Sequence, residues 1–597
     1  MAHKAVCSLL ILPALLFSGS GQGSSSPPAP IVLLISPRSV TTGEAFRVLA
    51  VSESCLADPH LAVDGPIGRL KPENLQKGGG PPFWWEARFR AVDPGEYKAA
   101  LRSDETPLYR QAFSVTAEKR GPLPASVIWE AREGWSRPTE NLYSAWIERM
   151  FLEAREGTVW PHLHDIIRDA ESNVLHNHLG QDEDRSLILV PDCADNPFFL
   201  RAYFAWKLGL PYGHHRCDRG TAERAPRCFD WVTNTVPRRP NRDDVLAFRS
   251  FVRSIMNSVH SGSARTALDD DESDLYPVFL SRSSLRPGVV FADPHGHTLT
   301  LVRWIPQTAH SAGKLLAVDA QPDGTIAVKR FWQGNFLFHT GDIVGEAGFK
   351  AFRPIQLDEA GNLDLMSNAQ ITQHPDYGNY SLEQREMQAR SFYDRMDRLI
   401  NPEPLDPVQA FRELHDAVLD RLKARALAVA NGEEYMKRTG YRTIAMPSGA
   451  RIFQTSGPWE DYSTPARDMR LLISLDVLLD FPSKVVRAPD AFRIPPDKTP
   501  ARIKSELEAL HREWAPHNSI TYTRSDGSEQ NLSLEDVLQR MPALEMGYNP
   551  NDCIEIRWGA PEGSSERSAC SRRAPAAQRK RMRAYRGWFR DRIIPVR

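Results

Sequence analysis

The 597-residue chain has only seven cysteines, too few for a small-module scaffold held together by dense disulfides. It has no excess of either charge: 74 Lys and Arg stand against 75 Asp and Glu, for a net charge of −1. That balance removes any global drive toward nucleic acid or an anionic membrane, so no nucleic-acid partner is expected. Past the N-terminal run, no apolar stretch approaches the ~20 residues that a membrane-spanning helix needs, so no transmembrane segment is expected. No solenoid, collagen or coiled-coil period recurs. His214-His215-x-Cys217 has no second ligand pair and makes no zinc site. The acidic run Asp269–Asp274 lacks the glycine and terminal Glu of a calcium loop. No metal or cofactor is therefore expected. What remains is an ordinary globular composition, 41% hydrophobic and 25% charged, with length for about three to five domains.

Lys4 precedes an apolar run, Ala5 to Phe17, and then a small, polar stretch from Ser18 to Ser26. This is the charged, apolar, small-residue order of a secretory leader, expected over 1–23. Residues 24–30 read as a Pro- and Ser-rich linker. A secreted or periplasmic protein follows, and its cysteines fit an oxidising compartment. Cys217 with Cys228, and Cys553 with Cys570, are close enough in sequence to close short disulfides. Cys55 and Cys193 then remain, with Cys193 expected as a free thiol.

From Ile31 to Ala117, short alternating runs separated by Gly, Pro and Asp predict an immunoglobulin-like β-sandwich over 31–117. Trp84 and Trp85 are successive strand residues, so one ring is expected in the core and one outward. A boundary falls near 118–126. Residues 126–352 then mix helix and strand. Helices are expected from Thr139 past Phe151 and over Leu163–Leu179, and a buried strand over Leu187–Val190. Beyond about Phe352 the pattern is mainly helical, to 597. Ser381 and Gln384 have capping-box spacing, and Asn431-Gly432 reads as the stop of a helix from Asp406. A strand is expected within Thr443–Phe453. The basic stretch from Arg579 to Arg597 reads better as a face packed on its own domain than as a lipid- or polymer-binding helix.

The most informative segment is Asp192-Cys193-Ala194-Asp195, opening an amphipathic helix that stops at Gly209-Leu-Pro211. Asp192 is an N-cap, and Asp195 stands where the second half of a capping box belongs. Cys193 falls at the first helical position, where free backbone amides and the helix dipole favour a thiolate. The two carboxylates oppose that charge, so a buried packing cysteine is the alternative reading. Downstream, His297 opens a strand after a tight Asp293-Pro-His-Gly296 turn. A loop at Pro306–Gly313 leads to a strand ending at Asp319. Antiparallel pairing would set Asp319 beside His297, giving a nucleophile, a base and an orienter.

These residues resemble the transglutaminase-like core of the papain-like cysteine enzymes: a helix-start cysteine, a His-led strand, then a strand ending in Asp. The resemblance covers about residues 185–335. It implies an α+β fold over 126–352, with Cys193 as nucleophile, His297 as acid and base, and Asp319 as orienter. The implied activity is acyl transfer through a thioester, on a protein or peptide substrate. The Cys193 N–H would hold part of the oxyanion, and Gln321 is an unassigned side-chain candidate. The Cys193–His297 gap and the His-to-Asp hairpin are long for the family, and Leu299 stands where an aromatic is usual. The Pro-Gly strand before Gly-His also resembles papain-like cell-wall peptide hydrolases. A non-catalytic envelope binding or scaffold protein is the third reading. Within the long gap, residues 259–274 read either as a mobile lid or, more simply, as a solvated surface loop.

Overall fold

The computed structural model describes residues 30–104, 106–118, 126–221, 223–239, 243–294, 296–321, 323–338, 346–453, 455 and 457–595. The expected leader, the linker up to residue 29 and the Gly121–Pro124 boundary lie outside them. A sheet-rich N-terminal region precedes a mixed α/β middle and a helical C-terminal region. No helix among the described residues is long and apolar enough to cross a membrane.

The N-terminal region has a four-stranded sheet and a five-stranded sheet. In the four-stranded sheet, strands Ile31–Ser36, Ala45–Ser52 and Phe83–Arg90 pair antiparallel. Strand alternation divides their side chains between two cores. Leu33, Ile35, Val48, Ala50, Ala87 and Phe89 face the other sheet. Leu34, Leu49, Val51 and Trp84 join the core of the middle region instead. Trp84 is the outward ring anticipated from the alternation, yet it is fully buried, and its indole N–H donates to Glu148 Oε2 at 3.2 Å. Glu148 belongs to helix Arg137–Met150. Arg149 of the same helix pairs with Glu86 at 2.5 Å. The sheet is thus covered on both faces. Each large apolar side chain taken from water there contributes about 1.5–3 kcal/mol.

The middle region is built on a seven-stranded sheet, antiparallel throughout. Its central strands are Val290–Ala292, Thr298–Ile305, Lys314–Ala320 and Ile326–Arg330. Val302, Leu316, Val318 and Val328 face a core shared with helices Arg137–Met150, Asp195–Leu208 and Asp244–Ser258. Phe291, Leu299, Leu301 and Ala317 face the opposite way, onto Phe392, Met396 and Ile400.

Two expected elements are shorter than their periodicity. The helix expected over Leu163–Leu179 ends at Ile167. Asp169 takes the Glu171 N–H and the Ser172 hydroxyl, and Asn173 donates to the Ile167 carbonyl. Such side-chain bonds compete with the helical ladder. Leu187–Val190 is not a strand. His164 Nδ1 lies 3.0 Å from the Leu189 carbonyl and 3.3 Å from its N–H, bonding one or the other according to tautomer, so a side chain stands where a ladder neighbour would. The 259–274 segment is not a solvated loop either. Val259, Ser261, Ser263, Ala264, Thr266 and Leu268 are buried, and Asp274 Oδ1 lies 2.7 Å from His215 Nδ1.

In the C-terminal region, the long helices are Pro407–Arg438, Pro465–Arg487, Pro500–Trp514 and Ala576–Arg590. The first runs through Gly432. A Cβ there would stand 3.0 Å from Arg557 Nη1 and from the Tyr462 carbonyl, so this glycine serves close packing and not a helix stop. Gln384 caps nothing. It lies in a 3-10 turn, Glu383–Glu386, and its amide donates to the Val278 and Phe349 carbonyls at the sheet edge. The strand expected within Thr443–Phe453 is absent, replaced by a 3-10 turn at Gly449–Ile452. The basic final helix buries Met582 and Phe589, with Arg586 paired to Glu545 and Arg592 to Asp476. It packs on its own region.

Candidate active site

Cys193 is the free cysteine among the described residues, and it is half-buried. Cys217–Cys228 and Cys553–Cys570 form disulfides, and Cys55 is not a free thiol. The Cys553–Cys570 bond also occupies the one cluster of potential metal-ligand side chains among the described residues, Cys553, Glu555 and Cys570.

Asp192 caps the start of the Cys193 helix. Its Oδ1 accepts from the Ala194 and Asp195 N–H groups at 2.8 and 3.1 Å, and its carbonyl accepts from Asn196 at 3.1 Å. A cap of this kind contributes ~1 kcal/mol. Asp195 answers only weakly, with Oδ2 3.5 Å from the Asp192 N–H. Regular helix begins at Asp195, not at Cys193. The cause is Pro197, four residues after Cys193, which has no N–H to give the Cys193 carbonyl. Thr298 fills the gap, donating its hydroxyl to that carbonyl. One hydrogen bond therefore ties the thiol-bearing turn to the residue that follows His297.

The tight turn before His297 closes through Asp293 N–H to the His297 carbonyl at 2.8 Å. Gly296 sits there at φ +93°, a conformation that glycine adopts without cost. Thr300 pairs with Val318 in the next strand, which makes His297 and Asp319 diagonal neighbours on one face. His297 Nε2 lies 2.6 Å from Asp319 Oδ1. With Nε2 turned to the carboxylate, Nδ1 is the nitrogen left for Cys193, which lies close enough to help raise the His297 pKa. Cys193, more than a hundred residues upstream in sequence, thus shares one locus with His297 and Asp319.

The electrostatics of this locus favour a charged His297–Asp319 pair. Burial works against a charged His297, but Asp319 and Cys193 overcome it and raise its pKa to about 10. Burial likewise opposes the Asp319 carboxylate, and His297 outweighs it, holding Asp319 below the usual carboxylate range. Asp195 goes the other way. Burial, reinforced by the charge of Asp192, pushes it up to about 8. At neutral pH Asp195 is therefore mostly a neutral acid, so one of the two negative charges set against a Cys193 thiolate is largely absent.

Gln321 is not an oxyanion donor. Its amide donates to Asp319 Oδ2 at 2.5 Å, so it fixes the carboxylate whose other oxygen meets His297. The Asp192 cap takes the N–H groups of Ala194 and Asp195 and does not engage that of Cys193. Sequence reasoning missed Thr298, Gln321 as an Asp319 partner, and Arg470. Arg470 lies on helix Pro465–Arg487 and pairs with Asp293 at 2.7 Å, bracing the His297 turn from the C-terminal region. Thr298 and Gln321 could have been suspected as polar neighbours of two site residues. Arg470, 177 residues from its partner, left no local signal. Compared with family models and with curated proteins, the chain finds no match in either.

Proposed function

We propose that the chain is an exported thiol acyl-transfer enzyme. Its N-terminal region is read as an immunoglobulin-like sandwich and its middle as a transglutaminase-like, papain-like core. The observation that carries this reading is the His297 contact pair, with Nε2 on Asp319 and the remaining nitrogen for the thiol of a capped helix start. The Cys193 thiolate attacks an amide carbonyl and forms the S–C bond of a tetrahedral adduct, whose oxyanion the Cys193 N–H receives. The imidazolium passes its proton to the departing amine as the C–N bond breaks. Water or an amine then attacks the thioester as His297 takes its proton, and the second adduct collapses with cleavage of the C–S bond, releasing the acyl product and restoring the Cys193 thiolate beside the imidazolium.

The test combines release of amines or ammonia from casein and from purified peptidoglycan with iodoacetamide modification of Cys193 located by mass spectrometry. Loss of turnover in step with modification of Cys193 supports the reading. Turnover that survives full modification refutes it. Release from peptidoglycan alone would assign the cell-wall peptide class.

The charge state of His297 gives a pH prediction. The leaving amine needs the imidazolium proton, so turnover falls as pH rises through about 10. Asp319→Asn removes the charge that raises His297, and the alkaline limb moves at least one pH unit lower, toward the ordinary imidazole value of ~6.5. The same raised pKa is a stability statement. Its contribution is complete below pH ~6.5 and is lost as pH climbs through the folded value. An alkaline limb unmoved by Asp319→Asn would separate Asp319 from the chemistry.

A further inference from the structure

Helices of the C-terminal region bring cations to the site that its acids do not match. Lys329 lies on the strand next to that of Asp319. Asp319 pairs with Ala327, so Lys329 occupies the next position on the same face. Arg421, on helix Pro407–Arg438, donates to the Gly334 carbonyl and to Asn335 Oδ1. Arg470 donates to the Asn335 carbonyl at 3.1 Å, so two helices converge on one loop. Arg467 lies one turn before Arg470 and is exposed.

The acids facing this group are already engaged. Asp293 pairs with Arg470, Asp319 with His297, and Glu156 with Arg330 at 3.2 Å. Lys329, Arg421 and Arg467 remain in excess. Lys329 and Arg421 lie close enough to act on one another and on Asp319, and Arg467 is close enough to act on both cations. Burial, with Arg470 beside it, lowers the Arg421 guanidinium to about 9. Positive groups crowded in partly buried ground lack a compensating anion.

We propose that Lys329, Arg421 and Arg467 form an anion subsite beside Cys193, His297 and Asp319, and that the acyl donor is an acidic peptide whose carboxylate docks there. This rests on the thiol acyl-transfer reading and narrows its substrate class. The C-terminal helical region then selects substrate, and the middle region carries the reacting groups.

The probes are iodoacetate and iodoacetamide, one anionic and one neutral. Each alkylates a thiolate by forming an S–C bond as iodide leaves. The readout on the full chain is the ratio of their rates at Cys193, relative to the same ratio for free cysteine. In the wild type the anion is favoured, and the preference shrinks with added salt. In Lys329→Gln/Arg467→Gln the ratio falls about tenfold, an effect of the size expected for two charges within a few ångströms in a partly screened site. Lys329→Arg keeps the wild-type ratio, and exposed Arg467→Gln alone gives an intermediate one in a chain with no buried contact removed. A double variant with the wild-type ratio overturns the subsite while leaving the thiol chemistry standing. A Cys193 inert to both reagents overturns the subsite and the enzyme reading together.

Discussion

His297→Gln is expected to reduce amide turnover by about 10³- to 10⁴-fold, the cost typical of losing the base from a nucleophile–base–orienter set. Glutamine keeps an amide donor near Asp319 and so spares the fold, but it cannot carry a proton between the thiol and the leaving amine. The variant should keep the wild-type unfolding midpoint to within a few degrees. Imidazole added to the medium should restore a small part of the rate, because the missing function is proton transfer. Turnover of the wild-type size in this variant would refute the proposed chemistry at its centre.

Lys207→Met should destabilise the protein by about 3–5 kcal/mol, the usual cost of removing one partner from a buried ion pair. Lys207 is in the last turn of the Cys193 helix, and its side chain is fully buried. Its ammonium meets Glu183 and Asp184 at 2.7 Å. Tyr203, one turn earlier, donates to Asp184 Oδ1 at 2.8 Å, and Asn173 donates to the Tyr203 hydroxyl at 3.0 Å. Methionine fills the space of the lysine stem and leaves two carboxylates in the dark without a cation. Urea denaturation followed by tryptophan fluorescence measures the loss. Adding Glu183→Gln and Asp184→Asn should recover a large part of it, since the penalty comes from unmatched charge and not from lost volume. A midpoint equal to the wild type would show that the cluster is solvated and carries little weight.

The helix that follows Cys193 could be read because its signals are local: an Asp before the cysteine, an apolar-rich run and Gly209-Leu-Pro211 at the end, although that helix is buried all round and has no amphipathic stripe. The pairing of His297 with Asp319 could be read because a turn and a short loop leave an antiparallel hairpin as the simplest path. Other readings failed where a distant residue overrode a local signal. Gly432 resembles a helix stop until Arg557 and Tyr462 are seen against it. Gln384 resembles a cap until the sheet edge claims its amide. Leu187–Val190 has the apolar content of a strand, but the His164 ring stands against the Leu189 backbone where a neighbouring strand would have paired. The 259–274 segment is polar in sequence and mostly enclosed in the fold, because Asp274 and His215 satisfy one another. Arg470 meets Asp293 only through tertiary packing, which no window along the chain displays.

Trp84, together with Leu34, Leu49 and Val51, has a consequence for how the molecule can be divided. The outer face of the first sheet is the inner wall of its neighbour, so the N-terminal region is no detachable bead on a string. A cut near residue 120 would bare an oily strip on the released fragment and strip helix Arg137–Met150 of its roof, and both pieces would seek a new surface to cover the wound.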